Sequence, residues 1–138
     1  MVPCDLKRDK LDKGFAEMSQ KGQRVHIVPA DVTVENDIRR VVKGTTGRFG
    51  SIDILVNCAG VLTFGKLDEA DPCVWDRIVR TNAYAPWRFM VEVLSEMRKA
   101  GGGSIVNISS EETPNQRTSR MQPSSWPPTK ANLLRAYY

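Results

Sequence analysis

The chain has 138 residues, 41% of them apolar and 26% charged, which is the size and balance of one globular domain. Its net charge of +4 comes from basic residues scattered along the chain, with no basic run or one-sided helix of the kind that binds nucleic acid. No stretch reaches the ~18 apolar residues of a membrane span, no signal peptide opens the chain, and Cys4, Cys58 and Cys73 lack metal-ligand spacing, so the expectation is a cytoplasmic protein with reduced thiols and no metal, nucleic-acid or membrane partner.

Residues 1–6 read as the end of a strand, weakened by Pro3, which has no amide hydrogen. Leu11, Phe15 and Met18 recur at helical spacing, and Gly22 stands where a helix C-terminus needs it. Residues 25–30 form a second strand candidate that ends at Asp31, with His26 as a structural residue inside it. Thr33 can cap the next helix. Glu35 and Asp37 then lie in its first turn, and Ile38, Val41 and Val42 form its apolar face. Residues 52–56 are an apolar run of strand length, which predicts burial on both faces, as in a parallel sheet with helices on either side. That run ends in Asn57-Cys58-Ala59-Gly60.

Asp71-Pro72 is a helix start, a capping side chain followed by proline at the first helical position. Trp75, Ile78, Val79, Trp87, Met90, Val93, Leu94 and Met97 mark a long helical region that Pro86 kinks or divides. Gly101-Gly102-Gly103 ends it, residues 104–108 form a strand, and Ser109-Ser110 lies at that strand's end. Residues 111–125 are polar and without periodicity, a loop, and a last helix starts near Pro128. Strands alternating with helices predict an α/β protein with parallel strands. Ligands in such sheets bind just beyond the carboxyl ends of the strands, which draws attention to residues 57–60 and 109–110.

Four segments in this order resemble the short-chain dehydrogenase/reductases, NAD(P)-dependent oxidoreductases with a Rossmann-type fold. Asn57-Cys58-Ala59-Gly60 is similar to the family's Asn-Asn-Ala-Gly, and Thr81-Asn82 to the helix segment with its catalytic Asn. Residues 103–110 are similar to the strand with its catalytic Ser, and Trp126-Pro127-Pro128-Thr129-Lys130 stands in the place of Tyr-x-x-x-Lys. The resemblance implies a doubly wound parallel sheet of order 3-2-1-4-5 and onward. Residues 1–138 would be a single incomplete NAD(P)-binding domain of this type, without the first, central strand and without the C-terminal strands. Residues 1–6 and 52–56 would then flank a gap of roughly 10 Å, twice the usual strand spacing.

The resemblance also implies roles. Asp5 would accept from the adenosine ribose hydroxyls, favouring NAD over NADP, although Lys7 and Arg8 nearby could reverse that preference. Asp31 would accept from the adenine amine and Val32 would pack on the ring. Asn57, Ala59 and Gly60 would let the backbone approach the cofactor. Asn82 would hold a kink and a water in a proton relay, Ser110 would hold the substrate carbonyl oxygen, and Lys130 would bind the nicotinamide ribose and lower the pKa of a neighbouring Tyr. That Tyr position is Trp126, whose indole has one donor hydrogen and no titration near neutral pH. No Gly-rich pyrophosphate loop occurs in the sequence either, so cofactor binding by these residues alone is expected to be poor.

The activity implied is NAD(P)-dependent hydride transfer between a small-molecule carbonyl and a secondary alcohol, with this chain inactive as it stands. A different reading is a non-catalytic interaction module that uses the helices of residues 75–97, which in the family commonly build a homo-oligomer interface. A third is that the sequence is part of a longer product.

Overall fold

A computed structural model describes residues 1–64 and 66–109. The main elements in chain order are β1 (Cys4–Asp5), α1 (Arg8–Gln20), β2 (Val28–Pro29), α2 (Glu35–Phe49), β3 (Ile54–Asn57), α3 (Pro72–Val79), a π turn (Arg80–Tyr84), α4 (Ala85–Lys99) and β4 (Ser104–Asn107). The class is α/β with parallel strands, as the alternation predicts.

The strands form two separate parallel pairs. β1 pairs with β2, Cys4 opposite Val28, and β3 pairs with β4, Ile54 opposite Ser104 through Asn57 opposite Asn107. Among the described residues no strand joins β1 to β3, in keeping with a partial Rossmann-type sheet whose central strand is not among them. The regular β1–β2 ladder is shorter than the 25–30 expectation because Pro3 carries no amide hydrogen to donate to the β2 backbone. Pairing still extends beyond it: His26, Val28 and Ala30 donate to the carbonyls of Met1, Pro3 and Asp5 at 3.0–3.1 Å.

One helix layer serves both pairs. Val28, Ala30, Ile38, Val41, Val42, Ile52, Phe89, Val93 and Met97 form a single buried cluster, with Val2, Cys4, Leu55 and Ile105 packed against it. Ile38 and Val93, each 1% exposed, lie at the contact of α2 with α4. Ion pairs between Arg39 and Glu92 (3.4 Å) and between Arg88 and Glu35 (3.8 Å) tie the same two helices. These partly exposed pairs add little stability beside the apolar contact.

Burial on both faces of β3 is not what the structure has. The pleat sends alternate side chains to opposite faces. Leu55 packs on the helix layer, whereas Ile54 and Val56 are 64% and 52% exposed on the other face. The cap of α2 also differs from expectation. The helix begins at Glu35 behind Val34, and Thr33 instead closes a turn on Asp31, its amide and hydroxyl both donating to Asp31 Oδ1.

The other helix ends follow the sequence. Asp71 accepts from the Cys73 amide at 2.8 Å ahead of Pro72. Gly22 ends α1 at φ +75°, a left-handed conformation that favours glycine. Gly103 lies so close to Met97 that a Cβ would stand 2.7 Å from its Cγ and Sδ, which lets β4 leave α4 in a tight return. Residues 111–125 and the helix expected near Pro128 lie outside the described residues.

Candidate functional site

The carboxyl ends of the strands carry most of the residues that the sequence singles out. β1 ends at Asp5, which is exposed and whose Oδ1 accepts from the Lys7 amide at 2.8 Å, a turn that leads into α1. β2 runs out at Asp31. Its Oδ1 takes both Thr33 bonds (2.8 and 2.7 Å), and its amide donates to Asp37 Oδ2 at 2.9 Å. Among the described residues no donor reaches Asp31 Oδ2. Asp37 also takes a bond from Arg40 at 2.7 Å. The Asp31 amide first, and Arg40 second, hold the Asp37 carboxyl below its ordinary range. Val32 is half-buried and packs on the core cluster.

At the ends of β3 and β4 two asparagines meet across the ladder. Asn57 Nδ2 donates to Asn107 Oδ1 at 2.8 Å and reaches the Pro86 carbonyl at 3.5 Å, while Asn107 Nδ2 lies 3.7 Å from Met90 Sδ. The pair locks both strand ends to the start of α4. Cys58, Ala59 and Gly60 follow, all exposed and all small, so the backbone there is open to close approach by a ligand.

The chain then passes Val61, which Asn82 grips at both polar groups. Asn82 Oδ1 accepts from the Val61 amide at 2.9 Å, and Asn82 Nδ2 donates to the Val61 carbonyl at 2.8 Å. Asn82 sits in the π turn between α3 and α4, where the Ala85 amide bonds to the Arg80 carbonyl five residues back. The widened turn has a local cause. Pro86 cannot donate to the carbonyl of residue 82, and its ring would crowd that carbonyl in a straight α-helix. Pro86 thus divides the helical region, as expected, at one widened turn between α3 and α4, and it cannot supply the α-helical donor to the Asn82 carbonyl.

Cys4 lies on the core side of this edge. Burial, and secondarily the neighbouring Cys58 and Asp5, push its thiol up to about 11. His26 is half-buried at the opposite, amino end of β2, its amide bonded to Met1. Among the described residues no group of three His, Cys, Asp or Glu side chains could hold a metal ion, and no helix is long and apolar enough to cross a membrane. Ser110, Trp126 and Lys130 lie outside the described residues.

The structure therefore gathers Asn57, Ala59, Gly60 and Asn82 at one edge, and adds Asn107 and the Val61 backbone, which sequence reasoning misses. Asn107 carries a signal nonetheless: it ends its strand as Asn57 does, in an otherwise apolar run. Small exposed residues follow β3, and a carboxylate with one oxygen unbonded among the described residues follows β2.

Comparison with known proteins bears on this edge. The family described as short chain dehydrogenase matches residues 1–123. An uncharacterised oxidoreductase of Thermotoga maritima is 38% identical over 107 residues, covering 78% of this chain and 42% of its own length. The cyclopentanol dehydrogenase of Comamonas testosteroni is 33% identical over 106 residues, covering 77% and 42%. Among solved structures, a short-chain type dehydrogenase/reductase of Mycobacterium ulcerans superposes with a TM-score of 0.73 at 29% identity, over 79% of this chain and 41% of its own. The chain thus spans about two fifths of the length of the relatives it matches.

Proposed function

The chain belongs to the short-chain dehydrogenase family, and from that premise we propose that it serves NAD(P)-linked interconversion of a small-molecule carbonyl and a secondary alcohol. The observation that carries the reading is the grip of Asn82 on Val61. It fixes the segment after Asn57-Cys58-Ala59-Gly60 against the π turn, beside the carboxyl end of β3.

The nicotinamide, when bound, supplies or accepts the hydride. Asp5, Asp31 and Val32 would hold the adenosine side, with NAD favoured by Asp5, while Asn57, Ala59 and Gly60 give the backbone room. Ser110 would orient the substrate oxygen. Lys130 would bind the nicotinamide ribose, and Asn82 would hold a water that passes a proton. Trp126 is the weak member: an indole cannot give a proton to a forming alkoxide near neutral pH. Within these 138 residues there is also no Gly-rich turn for the pyrophosphate, so the residues given bind the cofactor poorly and do not turn over.

The test is a chimera that adds a family Gly-rich strand-turn-helix unit before Met1 and the family's C-terminal strands after Tyr138, assayed for NAD(P)-linked alcohol oxidation with Trp126 and with Trp126→Tyr. A large gain on introducing Tyr supports the proposal. Equal, robust activity in both would mean that another group donates the proton.

A second reading has its own support. Trp87, Val91 and Leu94 line one stripe of α4, 51%, 42% and 39% exposed, and Trp75 and Val79 add 63% and 41% exposed side chains on α3. An apolar helical face of this kind suits a second copy of the chain. Light scattering would detect the dimer, and Trp87→Glu with Leu94→Glu would abolish it.

A further inference from the structure

A groove of about 480 Å³ lies at the amino end of β2, at the far end of the strand from Asp31, where the last turns of α1 and α2 converge. Its walls are Ser19, Gln23, Arg24, Val25, Arg48 and Phe49. Arg24 and Arg48 thus line one opening, and among the described residues no carboxylate pairs with either. Arg8, Arg39, Arg40 and Arg88 each pair with a Glu or Asp, whereas Arg24 and Arg48 share the lack of such a pair with Arg77, Arg80 and Arg98 and differ from them in lining a common groove. Arg24 is oriented: its guanidinium lies 5.1 Å from the centre of the Phe49 ring, a cation–π contact that holds the group against the groove wall.

Arg48 has a structural role that does not use up its charge. It stands in the last turn of α2, where the carbonyl end of the helix attracts a cation, and among the described residues it takes no hydrogen-bond partner. The Ser19 hydroxyl and the Gln23 amide add neutral hydrogen-bonding groups to the same walls, and Val25 and Phe49 are half-buried apolar surface beneath them.

We propose that this groove is a binding site for a small phosphate monoester, its phosphate held between Arg24 and Arg48 and its organic body resting on Val25 and Phe49. Planar guanidinium forks match phosphate oxygens in pairs, which a lysine cannot do. The groove is larger than a phosphate ion and part of its wall is apolar, so an ester fits it better than the free ion. The site is separate from the strand carboxyl ends and does not depend on the oxidoreductase reading.

The experiment is calorimetric titration of the full chain with phenyl phosphate and with inorganic phosphate, in low salt, for the unaltered protein and for Arg24→Gln, Arg48→Gln and Lys43→Gln. Lys43 is exposed on α2 and is not part of the groove, so its replacement removes the same charge elsewhere. The proposal expects millimolar or tighter binding of phenyl phosphate, weaker binding of inorganic phosphate, and a loss of about five- to tenfold on replacing either arginine but not Lys43. Circular dichroism of each variant shows that its helices remain. Equal loss in all three variants would reduce the effect to net charge and overturn the site, and so would the absence of binding by the unaltered chain. Preference for inorganic phosphate over the ester would overturn the assignment of the apolar wall.

Discussion

Asn82 grips Val61 at both backbone polar groups: one side-chain amide accepts from the Val61 N–H at 2.9 Å and donates to the Val61 C=O at 2.8 Å. A primary amide matches a peptide group in donor and acceptor spacing, so the bond pair pins the backbone whatever side chain residue 61 carries. Asn82→Ala should therefore destabilise the protein by about 1–2 kcal/mol, the worth of one or two modest hydrogen bonds. Asn82→Asp keeps the acceptor but sets a second carboxylate oxygen against the Val61 carbonyl, and should cost at least as much as Asn82→Ala. Urea unfolding measures both, and faster hydrogen exchange at the Val61 amide would locate the effect. Unchanged exchange there in Asn82→Ala would contradict it.

The Asn57–Asn107 contact links the ends of β3 and β4 at 2.8 Å. Asn57→Ala and Asn107→Ala should each destabilise, and the double variant should cost less than their sum by about 0.5–1 kcal/mol. A double-mutant cycle with strictly additive costs would mean that the two side chains do not act on each other.

Much of this fold is legible in the sequence, and the exceptions have physical reasons. Asp71-Pro72 and Gly22 mark helix ends because each residue type there has a nearly unique use. The turn before α2 is misread because Asp31, Thr33 and Asp37 can all accept backbone hydrogen bonds, and local pattern does not rank them; tertiary geometry gives Asp31 the Thr33 bonds and Asp37 the Asp31 amide. The open face of β3 is invisible because an apolar run states what a strand can bury, not which helices fold over it. In the site, Asn57 and Asn82 stand out as polar residues in apolar surroundings. What the sequence hides is the partner each takes: Asn107 lies 50 residues from Asn57, and the Val61 backbone has no side-chain signature at all.

Asp37 and Glu35 predict the acid limb of stability. Both carboxyls sit below their ordinary values in the folded chain, Asp37 chiefly through the Asp31 amide and Glu35 chiefly through the Tyr84 hydroxyl and Arg88. The stability they contribute is complete above the unfolded carboxylate range of about 4 and is lost as pH falls through the lower folded values. The thermal midpoint should be level from pH 7 to about 5 and should drop below about 4. Asp37→Asn combined with Glu35→Gln should lower the midpoint at pH 7 and flatten the drop. A drop of unchanged depth in that variant would assign it to other groups.

The three cysteines should separate by reactivity. Cys58 and Cys73 are exposed, whereas the Cys4 thiol is pushed to about 11 from an ordinary value of 9.0. Two pKa units reduce the thiolate fraction at pH 8 about a hundredfold, so iodoacetamide should label Cys58 and Cys73 well before Cys4. Mass spectrometry of timed samples reads the order. Labelling of Cys4 at the rate of the exposed pair would show that β1 opens from the core.

The central claim is that these residues supply the adenosine side of a dinucleotide site and lack its pyrophosphate turn. Titration with NADH, followed by nicotinamide fluorescence, tests it most directly. The chain of 138 residues should show no submillimolar binding. The same chain preceded by a family Gly-rich strand-turn-helix unit should gain submillimolar binding, and Asp31→Ala in that chimera should weaken it about tenfold, the loss expected for one charge-assisted hydrogen bond. Submillimolar binding by the unextended chain, or a chimera indifferent to Asp31, would contradict the account.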